Sequence, residues 1–575
     1  MKKGLVLILI FVLAFVSAAC GEGESLPSAS DAAAVQSASA SAVLPPAKNE
    51  SGAQNSVDSN ISADLASRSI YPVFYIEGCS LLCVESFEAD PVQICREYIY
   101  TYAGAQYNKM KYYRGADILY YTSGYFVEAG LIYAQLRQFS GGVDSIVADN
   151  VLLESIVFSE LTPSVLYTVH QEHKSTLYYR LRFDTQLVDE DVYKGYFIYG
   201  YSQVVYLKDT RGAENIKEAL RNYPGANAYK NPYADYGLYY YDTVNLSRRI
   251  GSCGEIFSIN QTTGTIVAGR GTAQYSTIYD TVNSVNISSF NMSQSSSYNL
   301  LDNVLMDWWS PDKIYQPMNY VMVLEDPASG MEKDLYRLDA SACECIARRV
   351  INGRYVSSDN GAYAFSMRLE GKPVLYVAYT DGTQLLLPTD MTIALEDVYF
   401  YSFTSGAMVY AIDRYAGLVK MYFYGEPVMT MLGEKPVNFK YGNRFVAYSM
   451  LNDAGSGYDI YIDDNSTNSL YASGATVSQS GSKIVEDFWV SDGKTVLYLT
   501  IGRQNGLYTL NKSASPGSHT ALTDCFLPEY GLLFSQPDAS ELAFNISRDG
   551  KNYIVLLNGE EERLIEGRGK LVPWE

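Results

Sequence analysis

The stretch Ser535-Gln-Pro-Asp-Ala-Ser-Glu-Leu-Ala-Phe-Asn-Ile-Ser-Arg-Asp-Gly-Lys-Asn-Tyr-Ile-Val555 decides the fold. Glu541–Ser547 and Asn552–Asn558 are short runs in which aromatic and branched residues alternate with polar ones, the period of a strand. Asp549-Gly550 between them supplies the residue types of a tight hairpin turn. The same pairing of strands recurs upstream. It joins Tyr320–Leu324 with Asp334–Leu338, Ala362–Met367 with Pro373–Tyr379, and Val398–Phe403 with Ala407–Asp413. It then joins Phe445–Leu451 with Tyr458–Asp463, and Thr495–Ile501 with Gly506–Asn511. A further strand follows each pair (Gln384–Leu387, Glu562–Ile565) and another precedes the next (Ile484–Val490, Gly531–Ser535). Four antiparallel strands in a repeat of this length make a propeller blade. The fold class expected is therefore all-β, a β-propeller of four-stranded antiparallel blades.

Upstream of residue 311 the units are blurred. Ile118–Thr122 with Leu131–Leu136 reads as one hairpin, Val165–Val169 with Thr176–Phe183 as a second, and Gly237–Asp242 with Glu255–Asn260 as a third. Tyr196–Leu207 holds part of a fourth. Residues 261–310, rich in Ser, Asn and Thr, read as a decorated blade or an insertion. Helical period is nearly absent; Ala213–Tyr223 and, more weakly, Pro91–Tyr102 are the candidates. At about 44 residues per unit, residues 70–575 have room for about eleven blades, whereas single rings usually stop at about eight. The expectation is one ring of seven or eight blades with N-terminal insertions (70–310) and regular blades (311–575), with two tandem propellers as the alternative.

The last units carry a more specific likeness. Ser535-Gln-Pro-Asp538 leading to Ala543-Phe544, then Arg548-Asp549-Gly550 leading to Tyr553-Ile-Val, resembles the repeat of TolB-type β-propellers. Val490-Ser491-Asp492-Gly493-Lys494, running on to Tyr498, repeats it. So, more loosely, does Ser357-Ser-Asp359-Asn-Gly361 leading to Phe365. These residues specify architecture: Asp and Gly make the turn between inner strands, and the apolar pair after it packs between blades. The resemblance covers about residues 311–575 and implies protein–protein contact at a cell envelope.

The N-terminus has a second signature. Lys2-Lys3, an apolar run from Leu5 to Val16 and the small residues Ser17-Ala18-Ala19 precede Cys20. A basic start, a short apolar core and small residues form a secretory signal, and the run is shorter than the ~20 residues a spanning helix needs. With cysteine directly after the cut, residues 1–19 resemble a bacterial lipoprotein signal peptide and its lipobox; Ser17 stands where the family usually has Leu. The resemblance implies lipidation of Cys20 and a location on the outer face of the bacterial cytoplasmic membrane. Residues 20–69 then read as a disordered tether, low in aromatics and rich in Ser, Ala, Asn, Asp, Pro and Gly. Its random-coil span is roughly 35–40 Å.

Composition narrows the partners. With 64 acidic against 43 basic residues the net charge is −21. No basic stripe is offered to nucleic acid, and the lipid rather than surface charge must hold the membrane. The 52 tyrosines fit many half-buried strands. Cys79, Cys83, Cys95, Cys253, Cys343, Cys345 and Cys525 follow Cys20. That odd set has no scaffold spacing, and only the first three cluster closely enough to suggest a bridge.

Catalytic patterns are missing from the sequence. His170-Gln-Glu-His173 lacks the order of a zinc protease and sits in a hairpin turn; His519 is isolated. No Gly-x-Ser-x-Gly elbow or phosphate loop is present. Carboxylates at a propeller mouth (Asp302, Asp307, Glu396, Asp397, Glu486, Asp487) fit glycoside chemistry only if two face one substrate. Asp463-Asp464-Asn465 is short of a calcium loop. Cys343 and Cys345 share one face of a strand, a pair of small hydrophobes. Trp308-Trp309 is the candidate ligand-binding pair. The expectation is a cell-surface lipoprotein without catalytic residues, metal or cofactor, whose propeller binds a protein, peptide or glycan of the envelope. The alternative is an envelope glycan hydrolase or lyase using paired carboxylates.

Overall fold

The structure, a computed structural model, describes residues 69–573 apart from connecting segments, of which 210–235, 307–318 and 325–332 are the longest; between 384 and 436 it describes the backbone alone. The lipobox, Cys20, the tether, Trp308, Trp309, the 213–223 helix candidate and the 357–361 turn motif lie outside the described residues. Among the described residues there is no α-helix. The other helix candidate is strand at both ends, Val92–Cys95 and Tyr100–Tyr102.

The last sheet shows why these sequences build blades. Leu532–Phe534, Glu541–Arg548, Lys551–Asn558 and Glu561–Glu566 pair antiparallel in that order. Asp549 and Gly550 both take positive φ, 54° and 76°, the conformation whose twist matches the flanking strands of a two-residue hairpin. Side chains then alternate between two neighbours. Leu542, Phe544 and Ile546 face Leu497, Leu499 and Leu510 of the preceding sheet. Ala543, Ile554 and Leu556 face Val73, Tyr75 and Val84 of another. A sheet apolar on both faces is stable only between two others.

That other neighbour is the first sheet, and its strand order is Val92–Cys95, Ser80–Val84, Val73–Glu77 and then Lys570–Val572. The C-terminal strand thus supplies the inner strand of the N-terminal blade, with Phe74 opposite Val572 and Tyr75 opposite Leu571. Arg563 adds hydrogen bonds to the Phe87 and Ala89 carbonyls, both at 2.6 Å, and to Asp90 at 2.7 Å. The next core joins Phe74, Leu81 and Cys83 to Tyr112, Leu119 and Tyr121 of the second unit. Sheets packed face to face in chain order, with the chain ends sharing one sheet, define a β-propeller.

Among the described residues four sheets have four strands, two have eight, one has ten and two have two. The larger ones are consecutive blades spliced where an outer strand touches the second strand of the next blade, Val151 opposite Val169 and Phe526 opposite Ile546, or where one sheet runs on into the next strand, Leu305 opposite Leu324. Among the described residues the blade count differs from the seven or eight expected for one ring. Of the two readings of residues 261–310, the blade is the one the described residues fit: Thr265–Ser276, Thr281–Asn291 and Ser297–Met306 complete the sheet begun by Glu255–Asn260. The expected pairing of Gly237–Asp242 with Glu255–Asn260 is also corrected. Tyr236–Asp242 pairs with Gln203–Asp209 and Leu246–Cys253.

The turns at Ser491 and Ser535 do more than reverse the chain. Ser491 Oγ accepts from Thr495 N at 3.0 Å, and Ser535 Oγ accepts from Glu541 N at 2.9 Å, so the serine holds each loop shut. The two turns also grip each other. Gly493 N donates to the Pro537 carbonyl at 2.9 Å, and Asp492 N donates to Gln536 Oε1 at 2.7 Å. A Cβ on Gly493 would lie 2.6 Å from that carbonyl oxygen. Gly493→Ala is therefore expected to cost about 2–3 kcal/mol through overpacking against backbone. Gly550→Ala, with open space but φ +76°, should cost nearer 1 kcal/mol. Denaturant unfolding of the two variants checks the order; equal losses would contradict it.

Candidate functional site

The side chains singled out from the sequence do not assemble into one site. Asp302 is exposed and accepts from Asn299 Nδ2 at 2.6 Å. Asp307, Glu486 and Asp487 lie outside the described residues, and Glu396 and Asp397 are described as backbone of the strand Ile393–Phe403. Asp464 ties two blades together: its Oδ1 accepts from Thr467 N at 2.9 Å and its Oδ2 meets Lys494 Nζ at 2.6 Å. His170 Nδ1 is 3.1 Å from Tyr133 Oη, and His519 Nδ1 is 2.7 Å from Tyr498 Oη. Cys79, Cys83 and Cys95 are free thiols, with Cys83 buried in the core between the first two blades. Cys345 is exposed rather than buried, and Cys343 is half-buried.

A different group of residues does come together, where three consecutive N-terminal units meet. Lys109 precedes the inner strand Met110–Tyr113 of the second unit. Glu154 lies on the 3-10 turn Leu153–Ser155, which leads into the third. Lys194 sits on the inner strand Val192–Phe197 of the next. Lys109 is fixed at its backbone by Thr122, whose Oγ1 accepts from Lys109 N at 2.9 Å and whose N donates to the Lys109 carbonyl at 3.0 Å. Its Nζ donates to the Ile156 carbonyl at 2.7 Å. Among the described residues Lys194 makes no hydrogen bond or ion pair; its Nζ lies 5.0 Å from the Tyr196 ring centroid.

These groups sense one another. Burial pushes the Lys109 ammonium down to about 8, with Glu154 opposing that shift and Lys194 adding to it. Burial also holds the Glu154 carboxyl above its usual range, and both lysines pull it back. Desolvation disfavours each charged form.

Aromatic rings border the cluster. The hairpin Ile118–Glu128 with Leu131–Ser140 carries Phe126 stacked on Tyr133, centroids 5.2 Å apart and planes at 16°. Phe126 is 39% exposed. Tyr133 in turn packs in one core with Leu152 and Tyr196. Tyr100 stacks on Tyr125 at 5.4 Å, and the Tyr125 hydroxyl is 2.7 Å from Thr122 Oγ1. Preorganised rings beside a few convergent polar groups are the usual makings of a binding site. Sequence reading missed it because each lysine, alone on its strand, reads as a solvated charge.

No protein-family profile matches the chain, and no curated protein matches it. Among solved structures it is similar to TolB from Acinetobacter baumannii, at 13% identity over 54% of this chain and 81% of that one, TM-score 0.19. It is similar also to the β-propeller domain of the Trilobed protease from Pyrococcus furiosus, at 11% identity over 64% and 97%, TM-score 0.23. A eukaryotic initiation factor gives 10% identity over 76% and 95%, TM-score 0.36. The fold assignment rests on the chain's own strand pairing and closure, and these likenesses add no weight to it.

Proposed function

We propose that the chain is a lipid-anchored protein on the outer face of the bacterial cytoplasmic membrane, a TolB-like propeller that binds an envelope protein, peptide or glycan without transforming it. The observation that carries this reading is the Lys109–Glu154–Lys194 cluster with its aromatic border, set where blades meet. Propeller loops from several blades can build such a site without a catalytic constellation. The rival, a carboxylate-based glycan hydrolase or lyase, needs two carboxyl groups facing one substrate. One closed ring, rather than two in tandem, is supported by the shared chain-end sheet and by the cores linking successive blades.

Capture from the surface of intact cells tests both halves. The full chain should fractionate with membrane, and Cys20→Ala should release it; unchanged fractionation of that variant would refute the lipid anchor. A partner retained by the parent chain and lost from Lys194→Gln supports the site. A partner set identical in both chains removes the cluster from the function.

A further inference from the structure

We propose that the propeller face carrying the turns Gly141-Gly142 and Arg182-Phe183 rests on the lipid surface, with Val143 and Phe183 as the side chains that enter it. The inference goes beyond the binding site and rests on the lipid anchor proposed above. Strand direction, exposure and charge lead to it.

Strand direction places both turns on the face where the described chain begins. Val73–Glu77 is the second strand of the first sheet, and Phe74 lies opposite Val572 of the inner strand. Residue 73 therefore stands at the end where inner strands hand over to second strands. In the second unit that handover is Tyr113 opposite Ile118, and Arg114 Nη2 beside it donates to the Tyr71 carbonyl at 3.3 Å. The third strand of that unit returns to the same end, with Phe139 opposite Leu119, and turns through Gly141-Gly142 into Val143. The third unit turns likewise through Arg182-Phe183, with Leu181 opposite Asp184. Gln138 and Arg180, near the ends of these two third strands, are joined: Gln138 Oε1 accepts from Arg180 Nε at 3.0 Å and from Nη2 at 2.8 Å. Both turns thus lie just beyond one bond between neighbouring blades. Ile70, buried and donating its N–H to Glu541 Oε2 at 2.7 Å, fixes the entry of the chain on that face. Residues 20–69, read as a tether, join that entry to Cys20.

Exposure marks the same face. Val143 is 66% exposed and Phe183 67%. Leu181, Val92, Tyr298 and Leu470, exposed too, lie beside the turns between third and outer strands of their own blades. Phe126 and Ile501 are exposed at the opposite end. The Phe183 turn is stiff: Arg182 N donates to the Pro163 carbonyl at 2.8 Å, and the Arg182 carbonyl accepts from Tyr120 Oη at 2.7 Å. Exposed apolar tips gathered on one face suit a membrane interface. The tether supplies the effective concentration that so few tips need.

Charge selects the kind of lipid. Arg137 pairs with Asp144, Lys494 with Asp464 and Arg563 with Asp90, while Arg182 and Asp184 flank Phe183. Glu85, Glu88, Glu560 and Glu561 are exposed at turns of the same face. The contact is therefore apolar, strongest on uncharged headgroups and opposed by anionic ones at low salt.

The test uses the lipidated full chain in phosphatidylcholine vesicles whose acyl chains carry bromine, a contact quencher of tryptophan. Phe183→Trp should add emission that the bromine quenches; Ile501→Trp, at a position 78% exposed on the opposite face, should add emission that it does not. Adding Val143→Asp to Phe183→Trp should lower the docked-to-free ratio read from that quenching roughly tenfold, the scale of burying one branched side chain. Phosphatidylglycerol mixed in at low salt should lower it as well. No quenching of Phe183→Trp, or equal quenching of both variants, in a chain that stays with the vesicles overturns the orientation and leaves the anchor standing. Unchanged membrane fractionation of Cys20→Ala refutes the anchor and this inference with it. Absent quenching, together with an envelope protein captured by the parent chain and lost from Phe183→Asp, assigns the face to a protein and overturns the lipid.

Discussion

Deleting residues 569–575 should open the molecule between its first and last blades while leaving the distant blades folded. The lost segment holds the strand Lys570–Val572, the inner strand of the first sheet. Leu571 is 3% exposed in a core that contains Val73, Tyr75, Ala543, Ile554 and Leu556. Just before it, Gly569 is clamped by the buried Asn545 side chain, which donates to the Gly569 carbonyl at 3.0 Å and accepts from its N–H at 3.1 Å. Removing a buried leucine costs about 2–5 kcal/mol. A buried amide left without partners adds about 1–3 kcal/mol. Losses of that size exceed what Arg563 and the Glu541–Ile70 hydrogen bond at 2.7 Å can offset from the surface. In an array whose units contact mainly their neighbours, the damage stays local. Hydrogen exchange should accelerate at Phe74–Ile76 and Ala543–Phe544 and hold steady at Phe445–Tyr448. Unchanged protection at Phe74–Ile76 would mean that the chain ends do not hold the first blade.

What could be read in advance, and what could not, follows from where the apolar residues fall. Phe445–Leu451 with Tyr458–Asp463 is legible because its buried positions are large and its turn is polar. Leu246–Cys253 is illegible because it carries Arg248 and Arg249 in mid-strand, with Arg248 bonding the Met292 carbonyl and facing the Tyr240 ring. Its absence from the reading displaced the third hairpin by one strand. Residues 261–310 left a blade and an insertion both open because Ser, Asn and Thr dominate, yet Ile266, Val267, Val285, Ile287 and Phe290 are buried. The closing strand is three residues long, too short to show a period. The Lys109, Glu154 and Lys194 cluster has no sequence signal at all: blade geometry, not spacing, brings them together. Gly493 was legible as a turn residue, but its close approach to Pro537 belongs to the neighbouring blade and appears only in the fold.

Raising the pH through 10 to 12 should unfold the protein cooperatively, because its cores are built on tyrosine. Tyr75, Tyr98, Tyr120, Tyr133 and Tyr167 are all buried. Burial raises each hydroxyl from its ordinary 10 to about 12. The folded state keeps these protons after the unfolded chain has begun to release them. Their contribution to stability is whole below pH 10 and is lost as pH climbs toward 12. Each such group removes roughly 1.4 kcal/mol per pH unit in that window. Five together remove about 7 kcal/mol per unit, against a total of roughly 5–15 kcal/mol for a folded domain. Lys109 acts the other way: its ammonium is pushed down to about 8, so its penalty fades between pH 8 and 10.5. One lysine cannot balance five tyrosines. Tyrosinate absorbance near 295 nm and far-ultraviolet dichroism should therefore change together above pH 10. Tyr120→Phe, which gives up a 2.7 Å bond to the Arg182 carbonyl, should lower stability at pH 7 and flatten the alkaline fall. Tyrosinate appearing smoothly around pH 10 with the sheet signal intact would contradict the buried-tyrosine account.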